Sequence, residues 1–554
     1  MKIISGLIAL LLIISSSVTN AQKLQKEEFQ ETIYKSIAKA YPATVRIYGF
    51  DTVKKQQNSA QFSGVVVSQE GKILTAAHAV RPNLTYMVRF PDGIEVIAVG
   101  LGRISFDDQQ NMPDLGTMKI ISRGNYPFAE MGWSYSAKIN EPCISISYPE
   151  TLNQLKPTVR FGRVSNPMTE WGFLESTCKM EPGDSGGPLF DYMGRVIGMH
   201  SRILVDENIN AEVPIDKYRK YWSALMIPET YRSLPSDTND VKKDPMVREI
   251  ITIPELADAN QDFYESSRRY NGTVMRLSST KNGKEQQIYA TVFSAGSRTL
   301  LVSKNSMVFD SPVAHEGKRF LKAKLITRDV KNDLVLLEIT GNKLEGLKLT
   351  STLDTSQISF KELGKILVSK LPNDSVRVSV LSSQSLSLPW KFSAGYFGAN
   401  ANFIDEKIIL TQLNPNSPAV TAGLQKGDQV TAVNGVPITM PQHYGREFNK
   451  YSPEDTITVT AVRDAKEFQI KVMMSRRPNF NNHPAESLLG GKSLRLDGFE
   501  QVIAHDPILK ADECGGPVFD SRGRFYGINI ARFSRTSTLI MPVSMIRKLL
   551  IPSI

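Results

Sequence analysis

Three residues in the first half of the chain, His78, Asp114 and Ser185, have the side chains needed for nucleophilic catalysis. A serine hydroxyl is a poor nucleophile at neutral pH and needs a base to accept its proton as it attacks. A histidine can act as that base because its ordinary pKa lies near the working pH. An aspartate bound to the imidazole holds the reactive tautomer and stabilises the imidazolium. We therefore interpret His78 as the base, Asp114 as its partner and Ser185 as the nucleophile.

The segments around two of these residues carry a family resemblance. Residues 75–78 read Thr-Ala-Ala-His, and residues 183–188 read Gly-Asp-Ser-Gly-Gly-Pro. Both segments resemble the signatures of chymotrypsin-like serine proteases, in the same chain order. The resemblance implies an oxyanion hole at Gly183, Asp184 and Ser185, where backbone N–H groups of the first and third residues face the developing charge.

A wider resemblance is to the secreted HtrA-type proteases, which combine a trypsin-like domain with PDZ modules. It is supported by residues 42–45, which follow a helical segment, and by Gly162–Ser165, which precede the nucleophile loop. One departure is Asp184, which stands where HtrA proteins usually have asparagine and resembles the trypsin aspartate that pairs with a newly cut N-terminus. Because no Arg-Ile-Val-Gly-Gly activation site precedes the first strand, the sequence leaves open which group neutralises Asp184.

Two further residues suggest a substrate preference. Lys179 matches the base of the specificity pocket in trypsin-like enzymes, and His200 resembles the pocket histidine of glutamyl endopeptidases. Two cations facing the pocket would favour an acidic residue before the scissile bond, through charge-assisted hydrogen bonds. In the alternative interpretation, Lys179 points to solvent and His200 packs on a strand.

The elements that must position these residues are mainly β-strands. Residues 27–40 have helical spacing and end before Pro42. Short β-rich runs follow, at 44–48, 64–67, 72–75, 86–90 and 94–99, and later at 289–293, 299–303 and 334–339. Turn residues at close intervals separate the runs, which is typical of an all-β barrel or sandwich.

An internal repeat indicates that the same unit occurs twice. Residues 183–191 read GDSGGPLFD, and residues 512–520 read DECGGPVFD. The segments around His78 and Asp114 have similar echoes. In the second copy the three catalytic positions are held by Asn305, Asp333 and Cys514.

The second copy lacks a base. An amide does not accept a proton near neutral pH, and a thiol with a pKa of about 8.5 is mostly protonated there. His505 and Asp506 lie upstream of Cys514, but on a strand where reach to the thiol is doubtful. We interpret this unit as a pseudo-protease retained for packing or binding, with a live cysteine hydrolase as the alternative.

The second unit is interrupted by an insertion, which is the second departure from the HtrA pattern. Residues 386–477 resemble a PDZ domain. The resemblance implies a loop of Gly395, Tyr396, Phe397 and Gly398 whose N–H groups grip the terminal carboxylate of a peptide, while an open sheet edge pairs with the peptide strand. The alternative is an α+β insertion without a ligand.

The N-terminal residues and the composition indicate the compartment and the kinds of partner. Residues 1–21 have a basic start, an apolar stretch and a small-residue end, which predicts a signal peptide and therefore export to the periplasm or beyond, with no stable membrane insertion. The net charge of +10 is mild for 554 residues and selects no partner, and nothing points to nucleic acid. No metal or cofactor is expected. Whether Cys143 and Cys178 pair is left open.

We therefore predict a mainly β chain with two chymotrypsin-fold double β-barrel units, the second degenerate and interrupted by an α+β PDZ domain. The predicted boundaries are a signal peptide at 1–21, a protease domain at 28–228, a linker at 229–255, the two parts of the degenerate domain at 256–385 and 478–554, and the PDZ domain at 386–477. The predicted function is a secreted serine endopeptidase that acts on polypeptides, including unfolded or envelope proteins. The alternative is a non-proteolytic chaperone or peptide-binding scaffold, and a homo-oligomer is left open.

Overall fold

The computed structural model describes residues 29–105, 113–246, 268–281, 283–341, 343–348, 358–372, 375–478 and 483–551. The predicted signal peptide and residues 247–255 of the predicted linker lie outside the described residues. Three parts are distinguished below: a first unit at 29–246, a second unit at 268–394 and 483–551, and an inserted domain at 395–478.

The first unit begins with helix α1 at residues 29–40. Its strands are β1 (Thr44–Asp51), β2 (Gln56–Val66), β3 (Lys72–Thr75), β4 (Thr85–Arg89), β5 (Glu95–Ile104), β6 (Leu115–Ile120), β7 (Pro142–Ser147), β8 (Thr158–Asn166), β9 (Leu174–Ser176), β10 (Pro188–Asp191), β11 (Val196–Ile203), β12 (Asn210–Pro214) and β13 (Thr230–Tyr231). Two short helices, α2 (Ile215–Lys220) and α3 (Trp222–Leu225), lie between the last two strands.

The second unit is built in the same way. Its strands before the insertion are β14 (Val274–Lys281), β15 (Lys284–Ala295), β16 (Arg298–Lys304), β17 (Asp310–Glu316), β18 (Arg319–Asp329), β19 (Leu334–Ile339), β20 (Ile366–Lys370), β21 (Val376–Val380) and β22 (Leu386–Leu388).

The inserted domain follows. Its elements are β23 (Ala399–Ile404), β24 (Lys407–Leu413), α4 (Pro418–Ala422), β25 (Gln429–Val433), β26 (Val436–Pro437), α5 (Pro441–Phe448), β27 (Thr456–Arg463) and β28 (Lys466–Met473). The second unit then resumes with β29 (Phe499–His505), β30 (Pro517–Asp520), β31 (Phe525–Arg532), β32 (Thr538–Pro542) and α6 (Val543–Leu550).

Both units consist of two successive β-barrels. In the first unit, strands β1–β6 form a sheet that closes through the pairing of β5 with β6, and β7–β12 form a closed barrel. In the second unit, β14–β19 form a closed barrel. The remaining strands form a seven-stranded sheet in the order β21-β20-β30-β31-β32-β29-β22, and a bridge between Leu381 and His505 joins β21 to β29. The predicted fold class is confirmed.

The strand predictions hold best for buried, apolar strands. β3 and β19 have the predicted bounds. β2 begins at Gln56, well before the predicted residue 64, because the exposed and mostly polar residues 56–60 extend the hairpin with β1 although they bury nothing. A polar strand of this kind lacks the alternation that sequence patterns detect.

One hydrophobic cluster contains residues of both units. Ile33 and Ile37 of α1 pack with the first unit's barrels and also with Leu363, Ile366 and Val368 of the second unit. Gly364 lies so close to α1 that a Cβ there would come 2.2 Å from the Ile37 side chain. The predicted pseudo-protease is therefore packed against the first unit along a continuous apolar surface.

Candidate active site

The pairing of β3 with β6 brings His78 next to Asp114. β3 ends at Thr75, a 3₁₀ turn at Ala77–Ala79 presents the imidazole, and Asp114 directly precedes β6. The His78 Nδ1 atom lies 2.7 Å from Asp114 Oδ2, and the His78 backbone N–H donates to Oδ1 at 2.9 Å. Because an ionised carboxylate only accepts hydrogen bonds, Nδ1 carries the proton and Nε2 is left to act as the base.

The two groups shift each other's pKa. Burial acts to lower the pKa of His78, but the hydrogen bond to Asp114 and the attraction of its charge outweigh burial, and the pKa is raised above its ordinary value. Burial acts to raise the pKa of Asp114, but hydrogen bonds from His78 and from Ser201 outweigh it, and the pKa is lowered. Ser201 Oγ donates to Asp114 Oδ2 at 2.9 Å. Sequence reasoning missed Ser201, although it directly follows the singled-out His200.

The predicted nucleophile lies in a loop that is fixed to β2. The Ser185 carbonyl accepts from the Ser63 N–H at 2.9 Å, and Ser63 Oγ donates to the Gly183 carbonyl at 2.8 Å. Gly183 has a φ of +96°, in the region that favours glycine. A Cβ there would lie 2.6 Å from the Tyr148 carbonyl oxygen. The residue type at the predicted oxyanion hole is therefore required by its backbone.

The same loop lies against the end of β3, just before the turn that carries His78. A Cβ at Gly186 would lie 2.1 Å from Thr75 Oγ1 and 2.6 Å from the Ala76 nitrogen. Because Ser185 directly precedes Gly186 and Ala76 lies two residues before His78, the segments that carry the predicted base and nucleophile are adjacent in space.

Arg160 is the group that neutralises Asp184. Its Nη1 and Nη2 atoms each lie 2.7 Å from a carboxylate oxygen of Asp184, and both side chains are fully buried. Ser147 Oγ donates to Oδ1 at 2.8 Å, and the Glu181 N–H donates to Oδ2 at 2.9 Å. In trypsin, the equivalent aspartate pairs with a newly cut N-terminus. Here the bidentate pair with Arg160 takes that role, so holding the loop does not require cleavage of the chain.

Sequence reasoning missed Arg160, although the repeat contained a signal. Residues 159–161 read Val-Arg-Phe and residues 376–378 read Val-Arg-Val. Arg160 lies opposite Ser145, and Arg377 lies opposite Ser369, at the same register of the two units. In the second unit the pair is loose, with Arg377 Nη2 3.9 Å from Glu513 Oε1 and the arginine side chain 40% exposed.

The two residues predicted to set the specificity have other partners. Lys179 is buried and its Nζ donates to the Asp506 carbonyl at 2.5 Å; burial lowers the pKa of Lys179 to about 8. His200 is fully buried, with Nε2 2.6 Å from Ser145 Oγ, and burial lowers its pKa to about 3. His200 is therefore neutral and Lys179 is directed at the second unit. The acidic preference stays a prediction that these contacts do not support.

The equivalent site in the second unit is filled by its own side chains. Lys304 is fully buried, and its Nζ lies 2.5 Å from Asp333 Oδ2. Asn305 Oδ1 accepts from Arg328 Nη1 at 2.6 Å. Cys514 is fully buried, and burial raises the pKa of its thiol. A lysine has thus taken the hydrogen bond to the aspartate that a histidine makes in the first unit, and the thiol has no base beside it among these groups.

His505 is likewise occupied elsewhere. Its Nε2 lies 2.8 Å from Asn529 Oδ1, and its Nδ1 lies 3.1 Å from Ser379 Oγ. Burial lowers the pKa of His505 to about 3. Because these two hydrogen bonds use both ring nitrogens, neither nitrogen is available to the Cys514 thiol.

We expect iodoacetamide at pH 7 to leave Cys514 unmodified in the folded chain, because the thiol is buried and its pKa is raised. Peptide mass mapping before and after unfolding in guanidinium checks this. Cys143, which is also buried, is the internal control. Modification of Cys514 ahead of Cys143 in the folded chain would contradict the prediction.

Cys143 and Cys178 are close but unbonded in this structure. Both are buried, and their sulfur atoms lie 3.8 Å apart. Burial, together with the neighbouring thiol, raises the pKa of Cys143.

The inserted domain presents an open sheet edge beside a helix. β23 pairs only with β24 among the described strands, and α5 lies alongside. In the predicted carboxylate loop, the N–H groups of Gly395 and Tyr396 donate to Tyr451 and Ser475. Among the described residues, the N–H groups of Phe397 and Gly398 have no such acceptor, so they are the donors that remain for a peptide carboxylate.

A tyrosine occupies part of that edge. The Gly398 carbonyl accepts from Asn414 on the β24 side, so the Ala399 carbonyl faces the open side. Tyr444 of α5 donates its hydroxyl to the Ala399 carbonyl at 2.9 Å, and its ring packs on Phe448. A peptide strand that pairs with β23 must displace this hydroxyl.

We expect Tyr444→Phe to bind peptides with free C-termini about three- to tenfold more tightly than the wild type, because one competing hydrogen bond of about 1 kcal/mol is removed. Fluorescence polarisation with a labelled peptide library measures the change. Tyr451→Phe is the matched control, since the backbone of Tyr451 and not its hydroxyl contacts the loop. Equal or weaker binding by Tyr444→Phe would contradict the prediction.

Comparisons with known proteins match two separate parts of the chain. Residues 62–199 match the trypsin-like peptidase domain family, and residues 395–474 match the PDZ domain family. The chain is 29% identical over 198 residues to serine protease HTRA1 of Xenopus tropicalis, covering 33% of this chain and 41% of that protein. It is 25% identical over 224 residues to the serine endoprotease DegS of Escherichia coli, covering 37% of this chain and 60% of that protein.

The chain therefore spans about half the length of the curated relatives it matches. A crystal structure of the serine endoprotease from Yersinia pestis aligns with 80% of this chain and 97% of that chain, at 16% identity and a TM-score of 0.28. The two domain matches and the relatives confirm the predicted resemblance to HtrA-like proteases with a PDZ domain. Within the described residues, no helix has the length and apolar character needed to cross a membrane.

Proposed function

We propose that the chain is a serine endopeptidase that cleaves polypeptides through an acyl-enzyme on Ser185. The observation that carries the proposal is the 2.7 Å hydrogen bond between His78 Nδ1 and Asp114 Oδ2, with the Ser185 loop held beside it. The resemblance of residues 62–199 to trypsin-like peptidase domains supports it.

The chemistry follows from the protonation states. Ser185 Oγ attacks the carbonyl carbon of the scissile bond while His78 Nε2 takes the hydroxyl proton. The N–H groups of Gly183 and Ser185 are the proposed donors to the oxyanion. His78 then gives its proton to the leaving amine, and water, activated by the same imidazole, hydrolyses the ester.

The partners and the compartment are part of the proposal. We propose that the inserted domain binds peptide C-termini, with support from its match to PDZ domains and the open edge of β23. Export to the periplasm or beyond is supported by the character of residues 1–21 and by relatives that include a protein named as a probable periplasmic serine endoprotease. Unfolded or envelope proteins are the proposed substrates.

Fluorophosphonate labelling tests the acyl-enzyme. We expect the reagent to modify Ser185 in the wild type and nothing in Ser185→Ala, and casein hydrolysis to follow the same pattern. Cys514→Ala, altered at the equivalent position of the second unit, is the matched control and should label like the wild type. A folded wild-type chain that neither labels nor hydrolyses casein would refute the proposal.

A further inference from the structure

The second unit touches the first unit at the segments that lead into the active site. Glu181 is joined to the nucleophile loop at two points, since its N–H donates to Asp184 Oδ2 and its carbonyl accepts from the Asp184 N–H at 3.1 Å. The Glu181 carboxylate accepts from Thr536 Oγ1 at 2.9 Å, and Thr536 belongs to the second unit. A short chain of hydrogen bonds therefore runs from the second unit to the residue between Gly183 and Ser185.

A second segment is held in the same way. Glu207 follows β11, the strand that contains His200 and Ser201. Its carboxylate lies 2.5 Å from Arg532 Nη2 and accepts from the Leu489 N–H at 2.6 Å. Arg532 is fully buried and Glu207 is nearly so, with 0% and 6% of their side chains exposed.

This second segment is tied to the first through Asn210. The Asn210 side-chain amide donates to the Glu207 carbonyl at 3.2 Å, and its oxygen accepts from the Met180 N–H at 3.3 Å. Arg535 of the second unit also donates to the Asp206 carbonyl at 2.7 Å. The contacts of Glu181, Asp206 and Glu207 with the second unit, called the brace contacts below, thus act on one connected wall beside Ser185.

Elsewhere the two units meet through the apolar core around Ile33 and Ile366 and through polar contacts such as that of Gln30 with Gly364. At Glu181 and Glu207 a buried carboxylate of the first unit accepts hydrogen bonds from the second unit, and Glu181 also accepts one from Thr151 of its own unit. A buried charge without its partner is strongly unfavourable. The position of Glu207, and in part that of Glu181, therefore depends on the second unit.

We infer that the degenerate unit is a built-in brace, which holds the loop of Ser185 and the adjoining substrate-binding wall of the first unit in catalytic geometry. The inference rests on the proposed endopeptidase function and assigns the second unit a positioning role in it. The second unit lacks a catalytic base, and its Cys514 is buried. It still presents Thr536, Arg532 and Arg535 as hydrogen-bond donors to the first unit.

The test measures the rate constant and the extent of fluorophosphonate labelling of Ser185 in full-length variants. Thr536→Val removes one hydroxyl donor at nearly constant shape, and we expect its labelling rate constant to fall about tenfold. Arg532→Met leaves Glu207 without its charged partner, and we expect a fall of about a hundredfold. Gln30→Ala is the matched control, because Gln30 joins α1 to Gly364 and Ile366 of the second unit, away from the brace contacts.

The two readouts separate positioning from stability. A merely structural role lowers the fraction of chains that label, but leaves the rate constant of the folded fraction unchanged. If Arg532→Met does not fold, Thr536→Val decides alone. Rate constants equal to those of the wild type and of Gln30→Ala would overturn the brace and leave the endopeptidase standing, whereas absence of labelling in the wild type would overturn both.

Discussion

Replacing Asp114 with asparagine is expected to lower kcat about 10⁴-fold, the size of effect known for this substitution in the chymotrypsin fold. The hydrogen-bond donors around Asp114 explain this loss of activity. The His78 N–H donates to Oδ1, so that position must stay an acceptor, and the amide NH₂ must take the position of Oδ2. There it faces Nδ1 of His78, which must then accept, and the ring proton moves to Nε2. In that tautomer the imidazole does not accept the proton of Ser185.

The residual activity of Asp114→Asn should also change its pH dependence. His78 works as a base only when neutral, so activity is lost as the pH falls through its pKa. Asp114 raises that pKa, and its removal should therefore move the acid limb of kcat/KM to lower pH. Ser201→Ala, which removes one hydrogen bond to Asp114, is expected to cost only about tenfold. An acid limb in Asp114→Asn at or above the wild-type pH would contradict the assigned pairing.

Arg160→Met is expected to lower kcat by about 10²–10³, the cost of losing an oxyanion donor. Asp184 would be left as a buried charge without its partner, which costs about 3–5 kcal/mol. We expect the loop to relieve that cost by turning Asp184 toward solvent, which would carry the Gly183 N–H away from the oxyanion. Thermal unfolding and the fluorophosphonate labelling rate measure the two effects.

Two further variants make the Arg160 prediction specific. The double variant Arg160→Met/Asp184→Asn removes the unpaired charge and should recover most of the lost stability and labelling rate, so the two substitutions should be strongly non-additive. Arg377→Met alters the equivalent arginine of the second unit, where the pair is 3.9 Å long and exposed. It should change stability by no more than about 1 kcal/mol. Additive effects of Arg160→Met and Asp184→Asn would contradict the positioning role.

The sequence predicted most of the fold because its buried strands are short apolar runs and its turns are marked by glycine and proline. β3 and β19 were predicted to the residue, while the polar start of β2 was not. The repeat predicted a second unit, since equivalent residues recur at equivalent register. Motifs around His78 and Ser185 could be recognised because each signature is contiguous.

The roles of the charged and titratable residues around the site were harder to predict from the sequence. Lys179 has the position of a pocket residue, but a lysine's long side chain lets its charge reach either side of the backbone, and in the structure it contacts Asp506 of the other unit. His200 has the position of a pocket histidine, yet Ser145 and Glu212 enclose it. The sequence position identifies Lys179 and His200 as candidates, whereas the side chains and backbone groups around them determine whether they carry charge and where they point.

By itself, the sequence determined the candidate chemistry of this protein, because base, acid partner and nucleophile are residue types set in short local patterns. Only the tertiary structure decided how that chemistry is held. Arg160 lies 24 residues from the aspartate it neutralises, and Thr536 lies 355 residues from Glu181. Buried charges take whichever partner the packed fold brings within hydrogen-bond distance, and such pairings between distant segments leave no local pattern in the chain.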